Sequence, residues 1–497
     1  MKRFVLVALL LALFAGAASA QEEGLRLGLK EAIRLAVEKN LDVRAALYTP
    51  AAAAADIYKY LGIYNPLLSL EANYQDSATL SANRLVTGGQ QVSRQRSTTY
   101  NAGVSQLVPF GGTLGAAFDN SWNHQNFGIN NYFQSDLTMT FTQPLLKNFG
   151  RENTEINIDV ARFNKEGALE QFKAKLLDVV SQVKSQYNQL YNLRENVEVK
   201  RASLKLAETI LTNTRAQVKA GVLPAMEITN AEFGVATQEK ALIDAERAVR
   251  DQVDNLRVLL QLPEVTEIIP TDAPLRDQYV VDDAKAIQLA MATRPDLRQQ
   301  RVAVKTSELQ SRVARNQTLP QLDFNSSAAF TGLASEYRRD LERVGSGRYP
   351  VWGAGLKLTY PIGNDAAKND YIKSKILVEQ NKTQLKSLED TISRDVRIAV
   401  RGVRSGYLQL DVTARGRTYA EEVLNAYIKK QKVGLATTKD VLDELNNLVT
   451  AQGNEIQAVT DYNNAIVTLW KTTGELLERE GITLGEKEAE SLYEKSK

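Results

Sequence analysis

The chain writes much of its length twice. Residues 30–46, KEAIRLAVEKNLDVRAA, return as residues 284–300, AKAIQLAMATRPDLRQQ, so that Ala32, Ile33, Leu35, Ala36 and Asp42 recur as Ala286, Ile287, Leu289, Ala290 and Asp296. The register runs on without a gap to Asn65-Pro66-Leu67-Leu68 against Leu319-Pro320-Gln321-Leu322. Further along, LTMTFTQPLL (137–146) resembles GLKLTYPIG (355–363), and KAGVLPAMEITNAE (219–232) resembles KVGLATTKDVLDEL (432–445). Repetition limits architecture more than any single motif, because each copy must build the same elements and cover them in the same way. The predicted organisation is one unit of about 230 residues used twice. The first repeat is 21–262 and the second 284–480, joined by a proline-rich linker over 263–283 (PEVTEIIPTDAP) and followed by a polar tail, 481–497.

Each copy starts as a pair of helices, then meets a proline that ends the helix and opens a strand. Leu41 stands where the second copy has Pro295, and Pro50 lies nearby, so the first copy's helix is expected to break there. Strand patterning follows: Leu68, Leu70, Ala72 and Tyr74 alternate with polar residues, as do Leu137, Met139 and Phe141, and Leu356, Leu358 and Tyr360. Leu322, Phe324 and Ser326 continue the habit more weakly. Period-2 segments of this kind suit a half-buried soluble sheet or a barrel facing lipid. Asn/Gln/Ser/Gly-rich loops and the aromatics Tyr100, Trp122, Tyr132 and Trp352, read as lying near strand ends, favour the barrel. The segment 97–124, STTYNAGVSQLVPFGGTLGAAFDNSWNH, reads as two alternating strands around Phe110-Gly111-Gly112 and has no equivalent in the second copy.

Helical seams follow the strands. Leu176, Val180, Val183, Tyr187 and Leu190 recur at spacings of four and three, as do Ile392, Val396, Ala399, Val403, Tyr407 and Leu410. As one helix, Arg151 to Gly221 would reach roughly 105 Å. A rod of that length cannot bury its seam alone and must pack along neighbours from its own chain or from other copies.

Composition narrows the function. Lys+Arg (61) nearly balance Asp+Glu (59), which leaves no electrostatic footprint for nucleic acid. With no cysteine and the single histidine His124, thiolate or histidine metal sites and Ser-His-Asp catalysis are not supported; no cofactor or metal is expected and no enzyme is read. No phosphate loop, H-E-x-x-H or G-x-S-x-G is present. GSG at 345–347 sits in a charged stretch and reads as a loop. Residues 1–20, MKRFVLVALLLALFAGAASA, have the basic head, apolar core and small-residue end of a secretory signal peptide, with cleavage expected before Gln21.

One acidic pair stands out. Asp440 and Asp443 lie just past Gly434, three residues apart, and share a face if the run is helical. Thr437 and Asp440 fit a capping box. A catalytic or metal role finds no accompanying residues, while helix capping and the lining of a pore remain open.

A signal peptide, the duplicated AIxLAxxxxxD start, TQPLL at a strand end and paired glycine turns followed by EI or DVL resemble the TolC-like outer-membrane efflux proteins, the outer membrane factors. The resemblance spans about Leu27 to Leu477. It implies a mostly α fold with a transmembrane β-barrel, in which long coiled-coil-like helices of a homotrimer form an α-barrel continuous with the β-barrel. Each protomer would supply four strands, and the helical barrel would cross the periplasm from the cell outer membrane. Function would be that of a passive channel for efflux or type I secretion, opened by docking with a periplasmic adaptor (membrane fusion) protein and an inner-membrane transporter. Asp440 and Asp443 would then ring a pore constriction, and Glu227, six residues after Gly221 as Asp440 is after Gly434, would be a gate residue. Gly221, Val222, Leu223, Gly434, Leu435 and Ala436 would form the adaptor-docking hairpin tips. Ala436 replaces an arginine that some relatives carry, so other contacts must hold this gate. The hairpin at 97–124 exceeds the family's four strands; it would widen the barrel or pack at its periplasmic rim. A non-channel periplasmic coiled-coil adaptor or spacer is the alternative, and it leaves the strands unexplained.

Overall fold

The computed structural model describes residues 24–80, 91–126, 131–263, 267–483 and 485–496. The leader expected over 1–20 and residues 264–266 of the linker lie outside the described residues. In chain order the main elements are β1 (Leu25–Leu27), α1 (Leu29–Lys39), α2 (Leu41–Leu61), β2 (Leu67–Leu80), β3 (Val92–Leu107), β4 (Thr113–Gln125), β5 (Asn131–Pro144), α3 (Ile156–Lys219) and α4 (Met226–Leu260). The order then starts again with β6 (Ile268–Pro270), α5 (Asp283–Thr293), α6 (Pro295–Gln317), β7 (Gln321–Ala334), α7 (Tyr337–Ser346), β8 (Pro350–Thr359), α8 (Asp365–Lys432) and α9 (Thr438–Thr473), followed by α10 (Glu486–Lys495). Among the described residues no helix is long and apolar enough to cross a membrane. The described residues form two compact units, one mainly of helices (within 24–49, 169–298 and 387–489) and one built on a sheet (within 50–168, 299–386 and 490–496).

In the helical unit the predicted seam is the core. Leu176, Val180, Val183, Tyr187 and Leu190 of α3 are buried against Ile33 and Ala36 of α1, Leu256 and Leu260 of α4, and Ile268. Asn40 opens α2, its Oδ1 accepting from the Val43 N–H at 3.1 Å. Pro295 occupies the matching place as the first residue of α6, where its missing N–H costs nothing. The segment between the halves does more than link them. Its strand β6 pairs in parallel with β1. Tyr187 Oη then donates to the Leu27 carbonyl and accepts from the Thr271 and Asp272 N–H groups, each at 2.9 Å. Asn463 and Tyr462 of α9 hold the following stretch at Leu275, Asp277 and Tyr279.

The expected break at Pro50 does not occur, since α2 runs through it. Proline removes one backbone donor, and the five alanines that follow restore the turn with side chains of the highest helix propensity. Arg151 to Gly221 is not one helix either. A short turn of helix at Arg151–Thr154 precedes α3, and Glu155 between them is buried. Its carboxylate accepts from Arg151 Nε at 2.8 Å and Tyr64 Oη at 2.9 Å.

Among the described residues the sheet carries six antiparallel strands in the order β2-β3-β4-β5-β7-β8. Segment 97–124 is therefore two strands, as its alternation predicts, joined by a turn in which Val108 N–H donates to Gly112 O at 2.8 Å. Gly111 takes φ +87, and a Cβ there would lie 2.6 Å from the Asn148 carbonyl oxygen. Cross-strand register puts Leu68, Val104, Ala116, Met139, Ala328 and Trp352 in one row, and Leu70, Ala102, Phe118, Leu137, Phe330 and Pro350 in another on the same face. The opposite face carries Glu71, Asn101, Asp119, Asp136 and Thr331 in one row. Along residues 100–106 of β3 the apolar side is the exposed one and the polar side is partly covered, as on a sheet curved towards its polar face. Tyr100 lies in the middle of β3, not at an end.

GSG at 345–347, read as a loop, is instead the end of helix α7: Gly345 and Ser346 are its last residues and Gly347 follows with φ +62. The helix docks on the sheet through a wholly buried Asp340, which accepts a short hydrogen bond from Ser135 Oγ; Ser135 in turn accepts from Asn120 Nδ2 at 2.8 Å. Gly332 makes this possible, because a Cβ there would be 2.4 Å from Asp340 oxygens.

Candidate functional site at the paired helix turns

The two glycine turns are the same structure. Gly221 and Gly434 both adopt φ +75, the left-handed conformation that an L side chain enters only at a cost. At the first, Gly221 N–H donates to Val218 O at 3.0 Å and Val222 N–H to Gln217 O at 2.9 Å. At the second, Gly434 N–H donates to Gln431 O at 3.1 Å and Leu435 N–H to Lys430 O at 2.9 Å. Both are Schellman closures, which use the last carbonyls of α3 and α8 and reverse the chain into α4 and α9. Lys429, Lys430 and Lys432 in the last turn of α8 complement its dipole.

Behind the turns α3, α8 and α9 share a core of Ala207, Ile210, Leu424, Val441, Leu442, Leu445, Leu448 and Val449, against which the partly buried Val235 of α4 packs. Gly234 of α4 admits the Leu442 side chain, which would lie 2.7 Å from an added Cβ. In front of this core the apolar residues are not covered: Val222 is 59% exposed, Met226 72%, Val433 70% and Leu435 77%. Of the other expected docking residues, Leu223 and Ala436 are half-buried.

Thr437 caps α9 in the predicted box. Its Oγ1 accepts from Asp440 N–H at 3.1 Å, while its own N–H donates to Asp440 Oδ2 at 2.8 Å. The hydrogen bond from the Thr437 backbone, then that with its hydroxyl, hold the Asp440 carboxyl below the usual carboxylate range. Asp443, one turn on, is exposed.

Glu227 takes a different part. It sits in the first turn of α4, but its Oε2 accepts from the N–H of Thr438, the first residue of α9, at 3.0 Å. One hairpin thereby caps the helix of the other. Thr438 is wholly buried, and its hydroxyl lies 3.4 Å from Thr214 Oγ1 of α3 and accepts from Gln431 Nε2 of α8 at 3.2 Å. Residues of all four helices thus converge on Thr438. Sequence reasoning singled out Glu227 by its offset from glycine but missed Thr438, Thr214 and Gln431, for which neither spacing nor residue type gives a signal. Among the described residues there is no group of acids or histidine placed to hold a metal ion.

Comparison with known proteins follows the same outline. The family model described as outer membrane efflux protein matches residues 110–260 and 286–475. The outer membrane efflux protein BepC of Brucella suis is 22% identical over 292 residues, 58% of this chain and 62% of the relative. The pyoverdine export outer membrane protein OpmQ of Pseudomonas aeruginosa is 24% identical over 321 residues, 62% of this chain and 65% of the relative. In each case the chain spans a little under two thirds of the curated relative. The Campylobacter jejuni CmeC outer membrane channel superposes with a TM-score of 0.66 at 16% identity, covering 94% of this chain and 89% of that one. VceC from Vibrio cholerae gives 0.66 at 14%, covering 90% and 96%. At these identities the structural likeness speaks to the fold.

Proposed function

Because this chain belongs to the outer membrane efflux protein family, we propose that three copies of it form a passive exit duct in the outer membrane, serving efflux or type I secretion. The sheet carries the reading. Among the described residues it has two unpaired edges, a polar face, and a face that is apolar along the rows of Leu68 and Leu70 and is covered by α7 at the row of Asn120 and Ser135; in lipid every backbone group must be paired, which only a closed barrel achieves for strands. A soluble spacer would expose the whole of β2 and β8 to water as a template for aggregation. One ancestral unit used twice accounts for the matched turns at Gly221 and Gly434.

The turns are the working end. The exposed Val222, Met226, Val433 and Leu435 suit contact with a periplasmic adaptor tied to an inner-membrane transporter. Asp440 and Asp443 from three copies ring the constriction, and Glu227 is part of the gate. At about one Debye length, ~8 Å, a screened charge in water contributes about 0.2 kcal/mol, so six carboxylates give about 1 kcal/mol and concentrate cations several-fold.

Single-channel recording in planar bilayers tests this. Wild type is expected to show a small cation-preferring conductance, and Asp440→Asn/Asp443→Asn to lose the preference. Unchanged selectivity would leave both aspartates as helix-start residues only. Well-folded protein without conductance would overturn the duct.

A further inference from the structure

The hairpin β3–β4 is not an appendage of the sheet. It lies inside it, between β2 and β5, hydrogen-bonded along its length on both sides: Leu67–Leu80 pair with Val92–Ser105, and Thr113–His124 with Asn131–Thr142. Its outward residues, Tyr100, Ala102 and Val104 on β3 and Leu114, Ala116 and Phe118 on β4, continue the apolar face of their neighbours. Its inward residues, Asn101, Ser105, Asp119 and Ser121, continue the polar one. A hairpin packed at a barrel rim has no reason to share both the register and the facing of the spanning strands.

We infer that the membrane ring of this protein is eighteen-stranded, three copies joining β8 of one to β2 of the next. The inference rests on the three-copy duct proposed above. Six strands alternating in direction leave β2 and β8 antiparallel to one another, so a cyclic array closes with every seam antiparallel, as in bacterial outer-membrane barrels. Both edge strands are exposed along nearly their whole length and carry outward apolar residues, Leu68 and Leu70 on one and Leu356 and Leu358 on the other. With ten residues, β8 has the length a tilted strand needs to span a bilayer, about 9–11 residues.

The added strands set the width of the exit. With strands ~4.8 Å apart and tilted by ~40°, eighteen make a backbone ring about 36 Å across, whereas the twelve implied by four strands per copy make about 24 Å. Taking about 5 Å of side chain from each wall, the clear passage is about 26 Å against about 14 Å. An exit of this size does not restrict small molecules or an extended polypeptide, and leaves selection to the helix turns.

Electron microscopy of the full chain in lipid nanodiscs tests the inference directly. Three copies around a ring of about 36 Å are expected. The chain has no cysteine, so single-cysteine variants reconstituted in liposomes give a second readout with a water-soluble maleimide. Val104→Cys and Ala116→Cys should be shielded by lipid, and Ser105→Cys and Ala117→Cys should react. A trimer with a ring of about 24 Å, or equal labelling at all four positions, would overturn the eighteen-stranded barrel and leave the duct standing. Particles that form no membrane ring would overturn the duct itself.

Discussion

Removing the Glu227 carboxylate should loosen the start of α9. In the folded chain Glu227 Oε2 accepts from Thr438 N–H at 3.0 Å, and Thr438 is wholly buried, so water does not replace the bond without local opening. A hydrogen bond to a charged group contributes about 1.5–3 kcal/mol, and a carboxylate at a helix N-terminus a further few tenths or more. Glu227→Ala should therefore cost about 2 kcal/mol at this site, which corresponds to roughly a 30-fold rise in local opening. Glu227→Gln keeps an acceptor without the charge and should cost about half as much. Hydrogen exchange read over residues 436–445 measures the opening, and bilayer recording measures its effect on conductance through the proposed duct. The expected order of exchange rate and open probability is Ala above Gln above wild type. If Glu227→Ala exchanges like wild type at these amides, the cross-hairpin bond does not hold the turn, whatever the conductance does.

Other parts of the chain make independent predictions. Tyr187→Phe should destabilise the helical unit by about 2 kcal/mol, since Asp272 N–H and one acceptance by Leu27 O lose their partner while Thr271 N–H keeps its bond to Leu27 O at 3.2 Å; a urea melt and exchange over 267–282 would show it, and an unchanged midpoint would contradict it. At Glu155, burial pushes the carboxyl pKa up, but hydrogen bonds from Arg151 and Tyr64 outweigh it and hold the group below its ordinary value. That contribution to stability is present above the unfolded pKa, about 4.3, and is lost as pH falls through the folded one. Melting temperature against pH should fall on the acid side for wild type and be flatter, from a lower neutral value, for Glu155→Gln. The Tyr64 hydroxyl, pushed up to about 12 first by burial and then by Glu155, takes no part in that range.

What could be read from the sequence was local. Strand alternation puts the facing of every residue in view, so the apolar and polar sides of β2, β5 and β8 and the additional hairpin were all legible. The turns at Gly221 and Gly434 were legible because few residues other than glycine enter the left-handed region cheaply. Long-range contacts were not. The bond between Glu227 and Thr438 joins residues 211 apart. The clamp of Tyr187 on the segment after β6 uses an aromatic residue that its spacing marks only as core. Helix α7 was hidden because its docking residue is a buried aspartate, Asp340, where a hydrophobic pattern would look for an aliphatic side chain. Pro50 misled for the opposite reason: a strong local breaker was overridden by the alanine run beside it.

In the proposed duct, Asp440 would serve the fold and the pore together. Its Oδ2 accepts from Thr437 N–H and thereby fixes the start of α9, while the cap leaves the carboxylate its charge and a second oxygen. The same bonds lower its pKa, so Asp440 stays ionised to lower pH than an ordinary aspartate, near 3.9. If the proposed ring exists, Asp443→Asn leaves it to Asp440 alone, and its cation preference should persist to lower pH than a ring of ordinary aspartates would allow. Adding Thr437→Ala to that variant removes the hydroxyl's share of the shift, and preference should then fade at a higher pH. Reversal potentials under a salt gradient, followed from pH 7 downwards, separate the two. If the preference in Asp443→Asn disappears at or above the ordinary aspartate range, the capped carboxylate is not the charge that the permeating ions meet.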